Sequence, residues 1–198
     1  MLADVEAALQ EPRRGRPAAA SREVVLAAAL GRYLRGHRID VLAIATGLGL
    51  GRTTVYRWFG SRERLVGETV VLAGEPLVTE AREGAGGSGG AMLLETFDRL
   101  NRALAAAPAL RWFVEQERDA LRILTSSAGF VHPRMVERVT GLIDDEVRAG
   151  RYEPPVDPAT LGYAIVRLAE AFLYNDATGL RGDVDRLRDV EAALLGVR

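Results

Sequence analysis

The 198-residue chain has no cysteine and no lysine, so all 26 of its basic residues are arginine. The lack of cysteine excludes disulfides and thiolate chemistry and is typical of cytoplasmic proteins, where we expect this one. The lack of lysine indicates mainly a bias towards GC-rich codons, although arginine also suits phosphate contacts better than lysine does.

Long hydrophobic runs are missing as well. No stretch of about 18 apolar residues occurs, and the acidic start MLADVEAALQEPRRGRP has no apolar signal-peptide core, so we expect neither a membrane span nor a signal peptide. Histidine is rare: His37 and His132 lie in unrelated segments, and the chain has no histidine pair at metal-binding spacing. We therefore expect no metal and no cofactor.

The charge is divided unevenly along the chain. Residues 12–65 hold eleven arginines against three acids, a balance of +8, whereas residues 66–198 hold fifteen arginines against twenty-one acids, a balance of −6. A basic part joined to an acidic remainder suggests that the first part contacts a polyanion, although chance clustering of charge is the alternative.

Alternation typical of strands is also absent, and helical periodicity takes its place. Serine or aspartate before a segment and glycine or proline after it predict where the helices begin and end. The predicted helices are 21–36, 41–48, 52–59, 62–82, 91–107, 109–127, 132–149, 157–177 and 183–195, and GAGGSGG at 84–90 is a predicted flexible break. The sequence thus predicts an all-α fold.

The segment RTTVYRWF, residues 52–59, separates an apolar face from a polar one. Val55 and Phe59 are four residues apart and can be buried, which leaves two arginines, two threonines and a tyrosine for an exposed surface. Arginine can bond guanine bidentately, threonine offers a methyl and a hydroxyl to bases, and a tyrosine hydroxyl can bond phosphate. We interpret this segment as a helix that enters the major groove of DNA.

Both flanks of this helix support a DNA contact. Ser61 and Arg62 begin the next helix, where free backbone N–H groups favour a phosphate. The basic arm RGRP could insert into the minor groove, although an ordinary disordered terminus is the alternative. The predicted DNA-contacting residues are Arg14, Arg16, Arg52, Thr53, Thr54, Tyr56, Arg57, Trp58, Ser61 and Arg62.

The run IATGLGLGRTTVYRWFGSRERL, residues 44–65, resembles the DNA-binding signature of TetR-type transcriptional regulators. The matching positions are Ile44, Ala45, Gly49, Leu50, Thr54, Val55, Tyr56, Phe59, Ser61 and Leu65, together with Ala28, Ala29 and Tyr33 in the preceding helix. Three positions depart from the pattern: Gly51 replaces a hydroxyl residue, Trp58 a histidine or tyrosine, and Arg62 a lysine. The link from Gly36 to Ile44 is about one residue shorter than usual. This short link, the N-terminal GRPAAASR and the run Tyr-Arg-Trp-Phe together look most like the QsdR-type subgroup.

The resemblance implies a flexible basic arm at 1–20, a helix-turn-helix DNA-binding domain at 21–66 and a helical regulatory and dimerisation domain at 67–198. It also implies a homodimer that binds a palindromic double-stranded DNA operator. The segment 161–174 is apolar nearly all round and 135–147 has an apolar stripe, so these two helices are the predicted interface, with a purely intramolecular role as the alternative. The predicted interface residues are Val139, Leu142, Ile143, Tyr163, Val166 and Phe172.

A small-molecule effector is the remaining expectation from the resemblance. The helices of 91–127 would enclose a pocket for an apolar or amphiphilic molecule, although a solid core without ligand fits the composition nearly as well. The predicted ligand-binding residues are Phe97, Leu100, Trp112, Phe113, Leu121 and Leu124.

Two glycine-rich stretches are similar to the nucleotide-binding loops of enzymes. GAGGSG at 84–89 and TGLGLGRTT at 46–54 lack the preceding strand that a nucleotide-binding loop requires. We interpret Glu115, Glu117 and Asp119 as solvated helix charges that pair with Arg118 and Arg122. The sequence therefore predicts a ligand-responsive repressor and no enzyme, with an effector-free architectural DNA-binding protein as the alternative.

Overall fold

The computed structural model describes residues 21–174 and 183–197. Throughout these ranges the regular structure is α-helical, as predicted, and no strand occurs in them. The helices are α1 (Arg22–Leu34), α2 (Val41–Gly47), α3 (Arg52–Phe59), α4 (Arg62–Gly84), α5 (Gly89–Ala106), α6 (Pro108–Gln116), α7 (Ala120–Thr125), α8 (Val131–Arg148), α9 (Pro158–Tyr174) and α10 (Val184–Leu195). Over the same ranges, no helix is both long and apolar enough to cross a membrane.

Helices α1 to α4 begin where the sequence predicts. The Asp40 carboxylate accepts hydrogen bonds from the N–H groups of Leu42 and Ala43 at 2.8 and 3.1 Å, and the Ser61 hydroxyl accepts one from the Arg64 N–H at 3.0 Å. Because these side chains satisfy free donors at the helix starts, they fix where α2 and α4 begin. Helix α3 has Gly51 at its start and no side-chain cap.

One hydrophobic core joins α1, α2 and α3 to the rest of the chain. Val55 and Phe59 of α3 are buried against the apolar faces of α1 and α2, as their spacing predicts. The same core continues through Leu65 of α4 to Phe113 of α6 and Leu124 of α7. The first three helices therefore pack directly on α4, α6 and α7 through one shared core.

A second core holds α5, α8, α9 and α10 together. Its most buried members are Leu93, Phe97, Ile143, Leu161, Ile165 and Leu195. Helices α8 and α9 are in close contact at Gly162, where an added Cβ atom would lie 2.4 Å from the Thr140 hydroxyl oxygen. The absence of a side chain at this one position lets the two helices pack side by side.

One predicted helix differs in the structure: the helix expected over 109–127 is two helices, α6 and α7, separated by a turn at residues 117–119. The break predicted at 84–90 falls between two helices, since α4 ends at Gly84 and α5 begins at Gly89. The flexibility of this segment stays a prediction. Gly89 is buried with a φ of 66°, its N–H donates to Glu146 at 2.7 Å, and an added Cβ would lie 2.4 Å from the Arg151 carbonyl oxygen. Only glycine fits there.

Candidate nucleic-acid interface and internal cavity

The outer face of α3 is polar and basic. Arg52, Thr53 and Arg57 are exposed on it, while the apolar side of the helix is buried. Tyr56 is half-buried, and its hydroxyl accepts a hydrogen bond from the Arg52 guanidinium at 3.1 Å. The guanidinium carbon of Arg52 also lies 5.1 Å from the centre of the Tyr56 ring, so the two side chains support each other on the surface.

The other predicted residues of α3 are less accessible. Thr54 and Trp58 are half-buried, and Trp58 packs against the core beneath α3. The structure therefore places Arg52, Thr53 and Arg57 outermost on the helix. Arg14 and Arg16 of the basic arm lie outside the described residues.

A groove of about 220 Å³ lies beside the start of α3. Three arginines line it, Arg38, Arg52 and Arg62, together with Tyr56 and the acid Asp40. Arg38 and Arg52 are the exposed arginines among them, and guanidinium groups are planar, multidentate donors of the kind that bind phosphate. Arg38 was missed by the sequence reasoning because it lies in the link between α1 and α2, outside the recognised motif.

Arg62 has a different environment from the one its predicted phosphate contact requires. Its side chain is only 18% exposed, and its Nε donates to the Ile39 carbonyl at 3.1 Å. Its Nη2 pairs with the Glu117 carboxylate at 2.5 Å. Ser61, the neighbouring candidate, uses its hydroxyl to cap α4. Both side chains thus form contacts within the protein at the edge of the candidate interface: Arg62 with Ile39 and Glu117, and Ser61 with the first turn of α4.

Glu117 is a second residue near the candidate interface, besides Arg38, that the sequence did not indicate. Its interpretation as a solvated helix charge was wrong, because its side chain is 3% exposed and lies in the turn between α6 and α7. Besides Arg62 it attracts Arg38, whose Nε is 3.6 Å from the carboxylate. This one acid therefore connects the turn between α6 and α7 to two arginines that line the basic groove.

A partly open apolar cavity of about 280 Å³ lies between α4, α6, α8 and the ends of α1, α5 and α9. It is lined mainly by aliphatic side chains, among them Val70, Leu77 and Val78 of α4, and Tyr33 of α1 also contributes to its wall. A smaller chamber of about 60 Å³ adjoins it. The two share the lining residues Leu100, Leu104, Val131, Met135 and Tyr174.

Three of the six predicted ligand-binding residues line this space: Phe97, Leu100 and Leu124. The other three, Trp112, Phe113 and Leu121, do not line it. The ring of Trp112 lies against Gly36, that of Phe113 packs against Tyr33 with ring centres 5.9 Å apart, and Leu121 is 47% exposed. The two aromatic residues of α6 thus pack against the end of α1 and Gly36 just beyond it, and not into the cavity.

The predicted dimer residues fall into two groups. Val139, Ile143, Val166 and Phe172 are buried within a single chain, which corrects their assignment to a subunit interface. Leu142 is half-buried and Tyr163 is 47% exposed, so these two remain available to a partner. The periodicity showed that α9 is apolar on several sides but gave no indication of which side the rest of the chain covers.

Comparisons with known proteins agree with this architecture. A family model described as "Tetracyclin repressor-like, C-terminal domain" matches residues 88–196. The solved structure titled "Structure of the R. erythropolis transcriptional repressor QsdR from TetR family" is 28% identical over 89% of this chain and 94% of that chain, with a TM-score of 0.81. A search of curated protein sequences finds no match.

The family model covers more than half of the chain, and the similarity to QsdR extends over the DNA-binding helices as well. Both the predicted family and the predicted likeness to QsdR are confirmed. This is a family of transcriptional regulators rather than of enzymes. The chain therefore belongs to the tetracycline-repressor-like, or TetR, family and is a DNA-binding transcriptional regulator.

Proposed function

We propose that the protein is a ligand-responsive repressor that binds a palindromic operator as a homodimer. The observation that carries the operator-binding part of this proposal is the α3 surface. There Arg52, Thr53 and Arg57 are exposed above a buried apolar face. The similar structure is titled a transcriptional repressor, which supports repression rather than activation.

On the DNA, α3 enters the major groove of one half-site. Arg52 and Arg57 donate to base edges or phosphates there, and Thr53 offers its methyl and hydroxyl to bases. The adjoining groove with Arg38 and Arg52 receives a backbone phosphate. This division of labour lets phosphate contacts position the helix while its outermost side chains select the sequence.

A second copy supplies the second half-site. The candidate contact surface is the outer side of α9, where Tyr163 and Ala171 are exposed two helical turns apart. Arg167 lies between them and donates to the Tyr163 hydroxyl at 3.1 Å. Replacing Tyr163 or Ala171 with Arg places a charge in that interface, so light scattering should show monomers; dimers in both variants would place the interface elsewhere.

Effector binding is proposed to act through the cavity walls. A molecule in the 280 Å³ space touches α4, the helix that begins beside the basic groove, and Tyr33 of α1. The same cavity reaches the first turn of α6, whose far end leads to the Glu117–Arg62 ion pair. Filling it would shift α4 and α6 relative to α1 and so change the separation of the two recognition helices in the dimer.

Reciprocity tests this coupling. An effector that weakens operator binding must itself bind the operator complex more weakly by the same factor, on the order of 10-fold for a typical coupling. Titration of the free protein and of the operator complex with one effector measures both sides. Equal effector affinity in the two titrations would contradict the ligand response, while leaving DNA binding intact.

A direct test of the DNA surface uses an operator identified by genomic footprinting. Variants Arg52→Ala and Arg57→Ala should lose operator affinity measured by fluorescence anisotropy at fixed salt. The matched control is Arg111→Ala, which removes an exposed arginine of the regulatory region. Equal losses in all three variants would indicate a general charge effect and contradict the assignment of α3.

A further inference from the structure

The smaller chamber of the cavity has a polar end formed by two helices. Glu191 of α10 is fully buried there, and both of its carboxylate oxygens accept from the Asn101 side-chain amide of α5, at 3.0 and 3.2 Å. Both residues line the 60 Å³ chamber, whose other walls are mainly aliphatic. An amide and a carboxylate thus border an otherwise apolar space.

Glu191 differs from the other buried glutamates of the described chain. The others are Glu68, Glu117, Glu146 and Glu170, and each forms an ion pair with at least one arginine. Among the described residues, by contrast, the hydrogen-bond partner of Glu191 is the neutral amide of Asn101. A buried carboxylate without a cation is costly to keep ionised.

The carboxyl group of Glu191 keeps its proton up to a higher pH than a glutamate in water does. Burial raises the pKa of its carboxyl group to about 7, and the negative charge of Asp98 acts in the same direction. Glu170, which also lines the chamber, is already satisfied, because Arg167 contacts it at 2.9 Å and His132 at 2.7 Å. Of the two carboxyl groups that line the chamber, Glu191 is therefore the one whose hydrogen-bond partner among the described residues is neutral.

Resting on the proposed effector response, we propose that Glu191 and Asn101 form a head-group site for an amphiphilic amine. The protonated amine lies in the small chamber and donates to the Glu191 carboxylate, while the Asn101 carbonyl oxygen can accept a second hydrogen bond. The apolar body extends past Leu100 and Met135, which line both chambers, into the larger space beside α4. A charged head in the small chamber and an apolar body against α4 would together link recognition of this ligand class to the DNA-binding helices.

The sizes of the chambers agree with this orientation. A water molecule needs roughly 10–15 Å³ of such space, so 60 Å³ accommodates an ammonium group with the first carbon or two of its chain. The 280 Å³ space accommodates an alkyl chain or a small ring system. A large rigid cation would not fit the small chamber, so the proposal is limited to slender heads such as primary amines.

The experiment compares three probes that share one chain and differ in the head: n-octylamine, n-octanol and octanoic acid. Calorimetry at neutral pH, below the micelle concentration, should show that the amine binds about tenfold or more tightly than the alcohol, and the acid most weakly. In Glu191→Gln the amine should lose about tenfold in affinity, while the alcohol changes little. The matched control is Glu115→Gln, an exposed acid of α6.

Each outcome decides the matter. Equal affinities for amine and alcohol in the wild-type protein, or an amine affinity unchanged in Glu191→Gln, would overturn the head-group site and leave an apolar effector pocket. Absence of binding by all three probes would overturn it too. If the amine binds with the expected preference but leaves operator affinity unchanged, the site stands and the proposed ligand response fails. Should Glu191→Gln not fold, the head-group series on the wild-type protein still decides.

Discussion

The helix-turn-helix and the C-terminal helices, α5 to α10, use charged side chains in opposite ways. On α3 the arginines point outwards, above a small core that local spacing sets. In the C-terminal helices the acids Glu117, Glu146 and Glu170 are buried and paired with arginines, and the buried Glu191 lines the small chamber. The first region thus has its charged groups on the surface, and the second has several of them buried. The comparison teaches that substitutions should affect DNA binding in the first region and stability or ligand preference in the second.

The largest effect should come from a charge introduced into the C-terminal helices. Val166 of α9 is 5% exposed within a single chain, so Val166→Glu should lower the free energy of unfolding by roughly 3–5 kcal/mol. Chemical denaturation measures this loss. The control Ala91→Glu adds the same charge at an exposed position of α5 and should change stability by no more than about 0.5 kcal/mol. A stable but monomeric Val166→Glu protein would instead return Val166 to the subunit interface.

Next in size is the pH dependence set by Glu191. Because burial raises the pKa of its carboxyl group from 4.5 to about 7, the folded protein binds this proton more tightly than the unfolded chain. The resulting stability is fully present below pH 4.5 and is lost as the pH rises through about 7, a change of roughly 3 kcal/mol. Denaturation at several pH values should show this decline in the wild-type protein and not in Glu191→Gln. Parallel curves for the two proteins would contradict it.

Smaller effects are expected on the exposed surface of α3. Tyr56→Ala and Arg57→Ala should each weaken operator binding by about 1–3 kcal/mol at fixed salt. Thermal unfolding of Arg57→Ala should stay close to that of the wild-type protein, since this side chain is exposed. Unchanged operator affinity in both variants would remove the case for α3 as the recognition helix.

The smallest effect on DNA affinity is expected from Glu117, which lies between the two regions. Glu117→Gln removes a negative charge beside Arg38 and Arg62 and keeps the shape of the side chain. Non-specific DNA affinity at low salt should rise about threefold, with a steeper dependence on salt concentration. Glu115→Gln, on the exposed side of α6, should leave both quantities unchanged. Equal behaviour of the two variants would show that Glu117 does not modulate the basic groove.

The α3 region was predictable because its determinants are local. Val55 and Phe59 are four residues apart, and this spacing alone predicts that they share a buried face. Asp40 and Ser61 were predictable as helix caps, because a cap bonds to N–H groups two or three residues ahead of it. The turn between α6 and α7 was missed, since the charged stretch around Glu117 continues a helical pattern and has no glycine or proline to mark a break.

The all-α fold, the caps, the family and the division of α3 into a buried and an exposed face could all be predicted from the order of the residues. Each of these depends on spacings of a few residues. Which acids are buried, and which apolar residues line a cavity, depends on how distant helices pack together. The Glu117–Arg62 pair joins residues 55 positions apart, and the Asn101–Glu191 contact joins residues 90 positions apart. Helical periodicity assigns each side chain to a face of its own helix, but the segment that covers that face is set by packing between distant parts of the chain.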